Sequence, residues 1–386
     1  MTLESLAPEF RLAAACCIWP RSAKRNEAIR YAAAAGIDWD VYLETVRRQR
    51  IMGLAKDGLT CAAVAVPQAV EARLASEASE VARDALKLAS EALRIQAAFD
   101  AAGVPCLFVK GSAIALLAYG NLGIKQAWDI DLLVSPADVP LACGVLSALN
   151  YNRLMPPPGF PDARFRAWVE IARESLFQDA ARGIHLELHW RLSDNHAQLA
   201  DVRASGPSLR VAIAPAKEIR TLAEDDLFAY LCLHGAHHAW ARMKWLADIA
   251  AWLAGKPEAE VIRLYRSAQG KSVGRAAAQA LMLAHILFDL PLPAALQAEI
   301  GGSRTVHWLV RVALDSMTGD RILGSMRIEA SHFLIASGLS HWLQEVSAKS
   351  IGWTDFQRFA LPRPLYFLYP LLRLPSWLWR RAGASS

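Results

Sequence analysis

Apolar residues recur every seven positions in an alanine-rich stretch near the amino terminus. The repeating positions are Leu74, Val81, Leu88 and Ile95. A seven-residue repeat keeps its apolar side chains on one side of a helix, so this stretch is predicted to be helical. Gly103 lies just beyond the last repeat, where a glycine is typical of a helix end. The same alanine-rich spacing extends over residues 1–100, for which we expect helices.

Three shorter apolar runs have the length and the residue types of strands. They lie at 106–109, 129–134 and 183–192. In the third run, apolar residues alternate with His185, Glu187 and His189. Side chains alternate along a strand, so these three polar side chains are expected to share one face.

The chain has helical spacing from about residue 216 to its end. Thr221 and Glu224 have the spacing of a capping box, which would start the first of these helices. His234, His237 and His238 follow, and their spacing puts them on one side of a helix. This histidine group is interpreted either as part of a packed helix or as a contact for substrate.

Two aspartates interrupt the apolar run at 129–134. A carboxylate that leaves water costs several kcal/mol unless a cation or hydrogen bonds compensate it, so something positive should lie beside Asp129 and Asp131. The two side chains share one face of the strand, with attachment points roughly 6.6 Å apart. Both can therefore reach a magnesium ion or a pair of ions. The alternative is an edge strand whose polar face is simply hydrated.

Composition narrows the class of protein. The chain has 386 residues, of which 54% are hydrophobic, so it can bury two or three cores. The net charge is +5, from 42 basic and 37 acidic residues, and no basic run stands out, so long nucleic acid is disfavoured as a partner. The six cysteines show no paired spacing, which indicates reduced core residues and a cytoplasmic protein.

Membrane insertion is not expected from the pattern. No stretch reaches 18 uninterrupted apolar residues, and the amino terminus lacks the early basic residues of a secretory signal. The tail at 361–381 is aromatic and basic but contains four prolines, which forbid one continuous helix. It is interpreted as a segment that wraps the surface, with weak contact to a membrane face as the alternative.

Three pieces of sequence suit a reaction on a phosphoryl group. Gly111 and Ser112 form a small-residue turn between a strand and a helix, where backbone N–H groups can approach phosphates. Asp129 and Asp131 lie on the next strand, and Glu187 is an acidic residue on a later one. Three carboxylates on neighbouring strands can bind magnesium ions that neutralise a triphosphate.

This combination resembles the nucleotidyltransferase superfamily of the DNA polymerase beta type. The motifs that carry the resemblance are VKGS, WDIDLLV and HLELHW. More narrowly, they are similar to those of a bacterial family of uncharacterised nucleotidyltransferases found near polysaccharide or lasso-peptide genes. The resemblance implies an α+β fold in which a small mixed sheet is flanked by helices. It divides the chain into a helical region at 1–100, a catalytic core at 101–215 and a helical region at 216–386.

The resemblance also implies a reaction and roles for residues. A nucleoside monophosphate would pass from an NTP to an acceptor, which could be a small molecule, a sugar or a peptide or protein, with release of pyrophosphate. Asp129, Asp131 and Glu187 would bind Mg²⁺ or Mn²⁺ and act as catalytic residues, with Glu187 also helping to deprotonate the acceptor. The residues expected to contact the nucleotide are Lys110, Gly111, Ser112, Lys125 and His189.

The sequence departs from the family motif at one position, and two alternative functions remain open. Lys125 stands where the narrower family usually has arginine, and lysine keeps the charge without the planar fork that grips a phosphate at two points. One alternative is a protein of the same fold that binds or regulates without catalysis. The other is a zinc hydrolase, in which His185, Glu187 and His189 or the later histidine group would be the ligands.

Overall fold

The structure is a computed structural model, and it describes residues 3–319, 325–350 and eight positions between 356 and 371. The helices in these parts are α1 (Pro8–Cys16), α2 (Ala23–Ala33), α3 (Trp39–Gln49), α4 (Met52–Cys61), α5 (Gln68–Ala101), α6 (Ser112–Tyr119), α7 (Val139–Ala148), α8 (Asp162–Ile171), α9 (Glu224–His237), α10 (Met243–Leu253), α11 (Glu258–Gly270), α12 (Gly274–Phe288), α13 (Ala294–Gly301), α14 (Arg304–Thr318), α15 (Ser325–His332) and α16 (Leu339–Ser350). The strands are β1 (Leu107–Phe108), β2 (Asp129–Leu133), β3 (Asn152–Met155), β4 (Glu174–Asp179), β5 (Ile184–His189), β6 (Ser208–Ala214) and β7 (Lys217–Leu222).

The strands form a five-stranded mixed sheet and a separate hairpin. The order in the sheet is β1-β2-β5-β4-β3, and β6 pairs with β7. Only β2 and β5 run parallel among these pairs, while β1, β4 and β3 join antiparallel. The predicted α+β fold, a small mixed sheet flanked by helices, is therefore confirmed.

Two hydrophobic cores meet along α5. Leu74 and Val81, in its first half, belong to a helical core built from α1 to α4 together with α9 to α14. Leu88, Ile95 and Phe99, in its second half, belong to the core beneath the sheet. The predicted helix with its seven-residue apolar repeat is thus confirmed, and all four repeating positions are buried. The long helix holds the sheet at a fixed place against the helical part.

The helical prediction from residue 216 is wrong at its start. Strand β7 occupies Lys217–Leu222, and α9 begins only at Glu224. Thr221 lies in β7, in register with Leu209 of β6, so it does not cap the helix. Ala223 occupies the cap position, without a side-chain hydrogen bond. Alternating polar and apolar residues in β6 and β7 pair with each other, and this tertiary pairing overrides a short local capping signal.

Other features of the sequence have mixed outcomes. All six cysteines are free, but Cys61 is exposed rather than part of a core. Within the described part of the chain, every helix is too short or too polar to cross a bilayer. The basic aromatic tail at 361–381, for which surface wrapping or membrane contact was considered, lies mostly outside the described residues.

Candidate active site

Parallel pairing of β2 with β5 brings acidic side chains from distant parts of the sequence together. Asp131 lies directly opposite Glu187 in the register, and Asp129 lies opposite His185. Ligand atoms of Asp131, Glu187 and His189 all lie within 4.8 Å of one another, and they are the one such group among the described residues. Asp129 is on the same face of β2 but outside this close group. The four side chains line a pocket of about 240 Å³, called here the carboxylate pocket.

Two cations supply the positive charge that the aspartates were expected to need. Lys110 Nζ lies 2.7 Å from Asp131 Oδ1, and His189 Nε2 lies 3.3 Å from the same oxygen. The same His189 nitrogen is 3.3 Å from Glu187 Oε2. Lys110 comes from the turn after β1, whereas His189 ends β5, so two separate segments converge on one buried carboxylate.

The ionisation of this group follows from burial and from the close charges. Burial by itself would raise the pKa of Asp131, but Lys110 and His189 outweigh it and hold that pKa below its usual value. Burial and the neighbouring Asp131 raise the pKa of Asp129, and Lys110 offsets them only in part. Burial alone would lower the pKa of His189, yet contacts with its carboxylate neighbours raise it well above the usual value. These contacts favour the protonated form of His189.

A second strand fixes the orientation of His189. Glu174 on β4 lies opposite His189 in the register, and its Oε2 atom is 3.1 Å from His189 Nδ1. Burial would raise the pKa of Glu174, but contact with His189 lowers it to about 2. Arg173 Nε lies 3.2 Å from the same Glu174 carboxylate. Carboxylate oxygens thus lie close to both imidazole nitrogens. Sequence reasoning missed Glu174 because its position depends on the antiparallel pairing of β4 with β5.

The glycine-containing turn has the backbone that the sequence indicates. Gly111 has φ of 66° and ψ of −126°, a combination that residues with a side chain rarely adopt, and it precedes the first residue of α6. Nothing lies within 4 Å of the position that a Cβ would take, so conformation and not crowding requires glycine here. Lys110 and Gly111 line the carboxylate pocket, whereas Ser112 is not among its lining residues.

Lys125 lies in the same pocket, but its charge is already paired. Its Nζ atom forms a buried ion pair with Asp248 Oδ2. The hydroxyl of Tyr119 donates to the other Asp248 oxygen at 3.1 Å. Both oxygens of this carboxylate therefore have partners in the protein. This ion pair joins the turn before β2 to α10, and a contact of Lys125 with the nucleotide stays a prediction.

Basic side chains that sequence reasoning missed line the same end of the carboxylate pocket. They are Arg50, at the end of α3, and Lys244, in the first turn of α10. Burial, together with Lys125 and Arg50, lowers the pKa of Lys244 to about 7. Its Nζ atom donates to the carbonyl of Gln126 at 3.2 Å. Neither lysine nor arginine stands in a recognisable motif, so only the fold brings them to this site.

The histidine-rich helix forms another wall of the pocket. Trp240 is fully buried against Gly235, where an added Cβ would lie 2.3 Å from the indole ring. This packing holds the end of α9 so that His234 and His238 line the carboxylate pocket. Burial lowers the pKa of His234 well below the usual value and that of His238 to about 4. Both imidazoles are therefore neutral.

The geometry gives little support to a zinc site on β5 alone. His185 is exposed and its Nε2 atom contacts Gln178 at 3.4 Å, so it takes no part in the close group of Glu187 and His189. Within the described residues, the later histidines also form no group of three metal-ligating side chains. Neither the histidines of β5 nor those of α9 therefore form a zinc site among the described residues.

Comparison with known proteins agrees with the motifs. Residues 35–289 match a family described as uncharacterised nucleotidyltransferase. No curated protein and no solved structure matches the chain. The matched region includes the turn after β1, both acidic strands and the histidine-rich helix, so the resemblance inferred from the motifs is confirmed. The chain belongs to this nucleotidyltransferase family.

Proposed function

We propose that the protein transfers a nucleoside monophosphate from an NTP to an acceptor with Mg²⁺ or Mn²⁺, and that the carboxylate pocket is the site of this reaction. The observation that carries the proposal is the register of β2 and β5, which sets Asp131 opposite Glu187 with ligand atoms within 4.8 Å. Asp129 adds a third carboxylate on the same face. Family membership supports nucleotide transfer in general, and this geometry supports the location.

The donor atoms suit the proposed metals. Mg²⁺ and Mn²⁺ both accept carboxylate oxygens, which Asp129, Asp131 and Glu187 offer. Bound there, a divalent cation would neutralise phosphate charge and polarise the phosphoryl group. The protein's own cations, Lys110 and His189, compensate the same carboxylates and favour a cluster that stays folded without added charge.

Residues around the carboxylates have separate roles in this proposal. Arg50 and Lys244 provide a basic end of the pocket for the triphosphate, and the backbone at Gly111 lets phosphate approach closely. Glu187, more exposed than Asp131, accepts the proton of the acceptor hydroxyl. His189 orients Glu187 and Asp131 through its two carboxylate contacts. Ser112 and Lys125 support the turn and the pocket wall rather than the phosphate itself.

The proposal is tested by nucleotide binding and label transfer with a matched control. A fluorescent NTP analogue should bind wild-type protein only with Mg²⁺ or Mn²⁺, and Asp131→Asn should remove this metal dependence. Asp84→Asn, on an exposed face of α5, makes the same chemical change away from the pocket and should behave as wild type. Metal-independent binding of equal strength in both variants would contradict the assignment.

The same assay separates catalysis from a regulatory role. A protein that only binds would retain metal-dependent NTP affinity but release no pyrophosphate. The retained carboxylates favour catalysis, because buried charges that have no function are costly to keep.

A further inference from the structure

A second pocket opens beside the carboxylate pocket on the side of the histidine-rich helix. It has a volume of about 190 Å³, and we call it the polar pocket. Four residues line both pockets, namely Arg173, Tyr230, His234 and His238. Because they share these walls, a molecule in the polar pocket lies next to whatever occupies the carboxylate pocket.

The charges that line the polar pocket compensate each other. Arg173 Nε lies 3.5 Å from Asp194 Oδ2, and Lys349 Nζ lies 3.5 Å from Glu345 Oε1. Two cations thus face two carboxylates, and each is already paired within the protein. Arg173 and Lys349 each have a further carboxylate partner, so a charged ligand would have to compete with two carboxylates for either cation.

The remaining lining groups are neutral and suited to hydrogen bonding. Burial lowers the pKa values of His237 and His234 well below the usual value and that of His238 to about 4. A neutral imidazole offers one donor and one acceptor, as a hydroxyl does. The Tyr230 hydroxyl lines the same wall. These groups complement a ligand that carries several hydroxyls.

The distribution of basic residues assigns different ligands to the two pockets. Lys110, Arg50 and Lys244 line the carboxylate pocket and are not among the lining residues of the polar pocket. A triphosphate therefore has its cations in the first pocket, and the second is left for the other substrate. Its volume equals that of about six water molecules, which suits a small polyol or one sugar ring but not a folded protein.

We propose that the polar pocket binds the acceptor and that the acceptor is a neutral, hydroxyl-rich small molecule such as a polyol or an unphosphorylated sugar. This inference rests on the proposed nucleotidyl transfer. The acceptor oxygen forms a bond to the α-phosphorus, and the bond from that phosphorus to the bridging oxygen of pyrophosphate breaks. Pyrophosphate leaves with the electron pair, and the hydroxyl proton passes to Glu187.

The test uses small probes and a substitution that fills the polar pocket. The neutral probes are glycerol, glucose and myo-inositol, and the charged ones are glucosamine and glucose 6-phosphate. Ala348→Trp, on α16, places a large side chain at the polar pocket, and Ala348 is not among the residues that line the carboxylate pocket. Leu343→Trp is the matched control, because Leu343 lies on the same helix with 62% of its surface exposed. Pyrophosphate release and thermal melts with Mg²⁺ and an NTP analogue are both measured.

The expected result is that at least one neutral probe speeds pyrophosphate release and raises the melting temperature, while the charged probes do neither. Ala348→Trp should raise the KM for that probe by about tenfold and leave the Kd for nucleotide unchanged, whereas Leu343→Trp changes neither. The acceptor assignment is overturned if only charged probes speed pyrophosphate release, or if no probe does. It is also overturned if a neutral probe stimulates both tryptophan variants equally. If Mg²⁺ and the NTP analogue do not raise the melting temperature of the wild-type protein, the proposed function itself is contradicted.

Discussion

Two lysine–aspartate pairs line one pocket, and their surroundings differ. Lys125 and Asp248 are both less than a tenth exposed, and Tyr119 occupies the remaining carboxylate oxygen. Lys110 and Asp131 lie beside two further acidic side chains, Asp129 and Glu187, and Lys110 retains 18% exposure. In the first pair, called here the closed pair, both carboxylate oxygens have partners within the protein. The second pair belongs to a group of three carboxylates, called here the open cluster, whose negative charge Lys110 alone cannot neutralise.

This difference suggests a structural role for the first pair and a chemical role for the second. A closed pair has no ligand atom to offer, so its value lies in holding segments together. An open cluster keeps carboxylate oxygens that can bind a cation together with phosphate. We therefore expect substitutions in the closed pair to change mainly stability and substitutions in the open cluster to change mainly nucleotide chemistry.

The largest effect is expected when the closed pair is broken. Lys125→Met should lower the free energy of unfolding by about 3–5 kcal/mol, because Asp248 would remain buried without its counter-charge. Urea unfolding followed by tryptophan fluorescence measures the change. Adding Asp248→Asn to Lys125→Met should restore much of the loss. A single variant as stable as wild type would show that the pair is not closed.

Glu187→Gln should slow transfer by about a hundredfold, since the amide cannot accept the acceptor proton. Nucleotide affinity should change little, because Asp129 and Asp131 remain. Single-turnover label transfer and equilibrium nucleotide binding separate the two effects. If affinity falls as steeply as the rate, Glu187 belongs to the nucleotide site and the assignment of the proton acceptor is wrong.

Lys110→Met should raise the Kd for the metal–nucleotide complex about tenfold, which corresponds to about 1.4 kcal/mol. Its effect on stability should be smaller than that of Lys125→Met, because His189 still contacts Asp131. Titration with a fluorescent NTP analogue measures the Kd, and urea unfolding measures the stability. Equal loss of stability in both lysine variants would remove the contrast between the pairs.

The smallest effect concerns pH. Since the pKa of Lys244 is lowered to about 7, its positive charge is lost as pH rises from 6 to 8. Nucleotide affinity should therefore fall about fivefold over this range, the effect of about 1 kcal/mol from one nearby charge. Lys244→Arg keeps its charge and should show a flatter profile, which corrects for ionisation of the nucleotide itself. Identical profiles would place Lys244 away from the phosphates.

Sequence reasoning located the acidic centre because the periodicity of strands fixes which side chains share a face. Asp129, Asp131 and Glu187 could be grouped once β2 and β5 were recognised, although the carboxylates' roles remain a proposal. The ion pair of Lys125 could not be foreseen because its partner, Asp248, is 123 residues away on α10. No local pattern carries information about such a distant pair.

The same reasoning explains which elements were missed. The apolar repeat of α5 is long and regular, so it predicted a helix correctly. Strands β4, β6 and β7 are no shorter than the strands that were recognised, but their pairing partners decide their conformation more than their own residues do. Glu174, which contacts His189, was missed together with β4 for this reason.

The central claim is that Asp129 and Asp131 are charged in order to bind metal and nucleotide. Thermal and chemical unfolding of wild type and of the double variant Asp129→Asn with Asp131→Asn tests it most directly. With Mg²⁺ and a non-hydrolysable NTP analogue at a hundredfold excess over Kd, wild type should gain about 2.7 kcal/mol, and the double variant should gain nothing while remaining folded without ligand. A double variant that unfolds on its own, yet keeps the full gain with Mg²⁺ and nucleotide, would contradict the account.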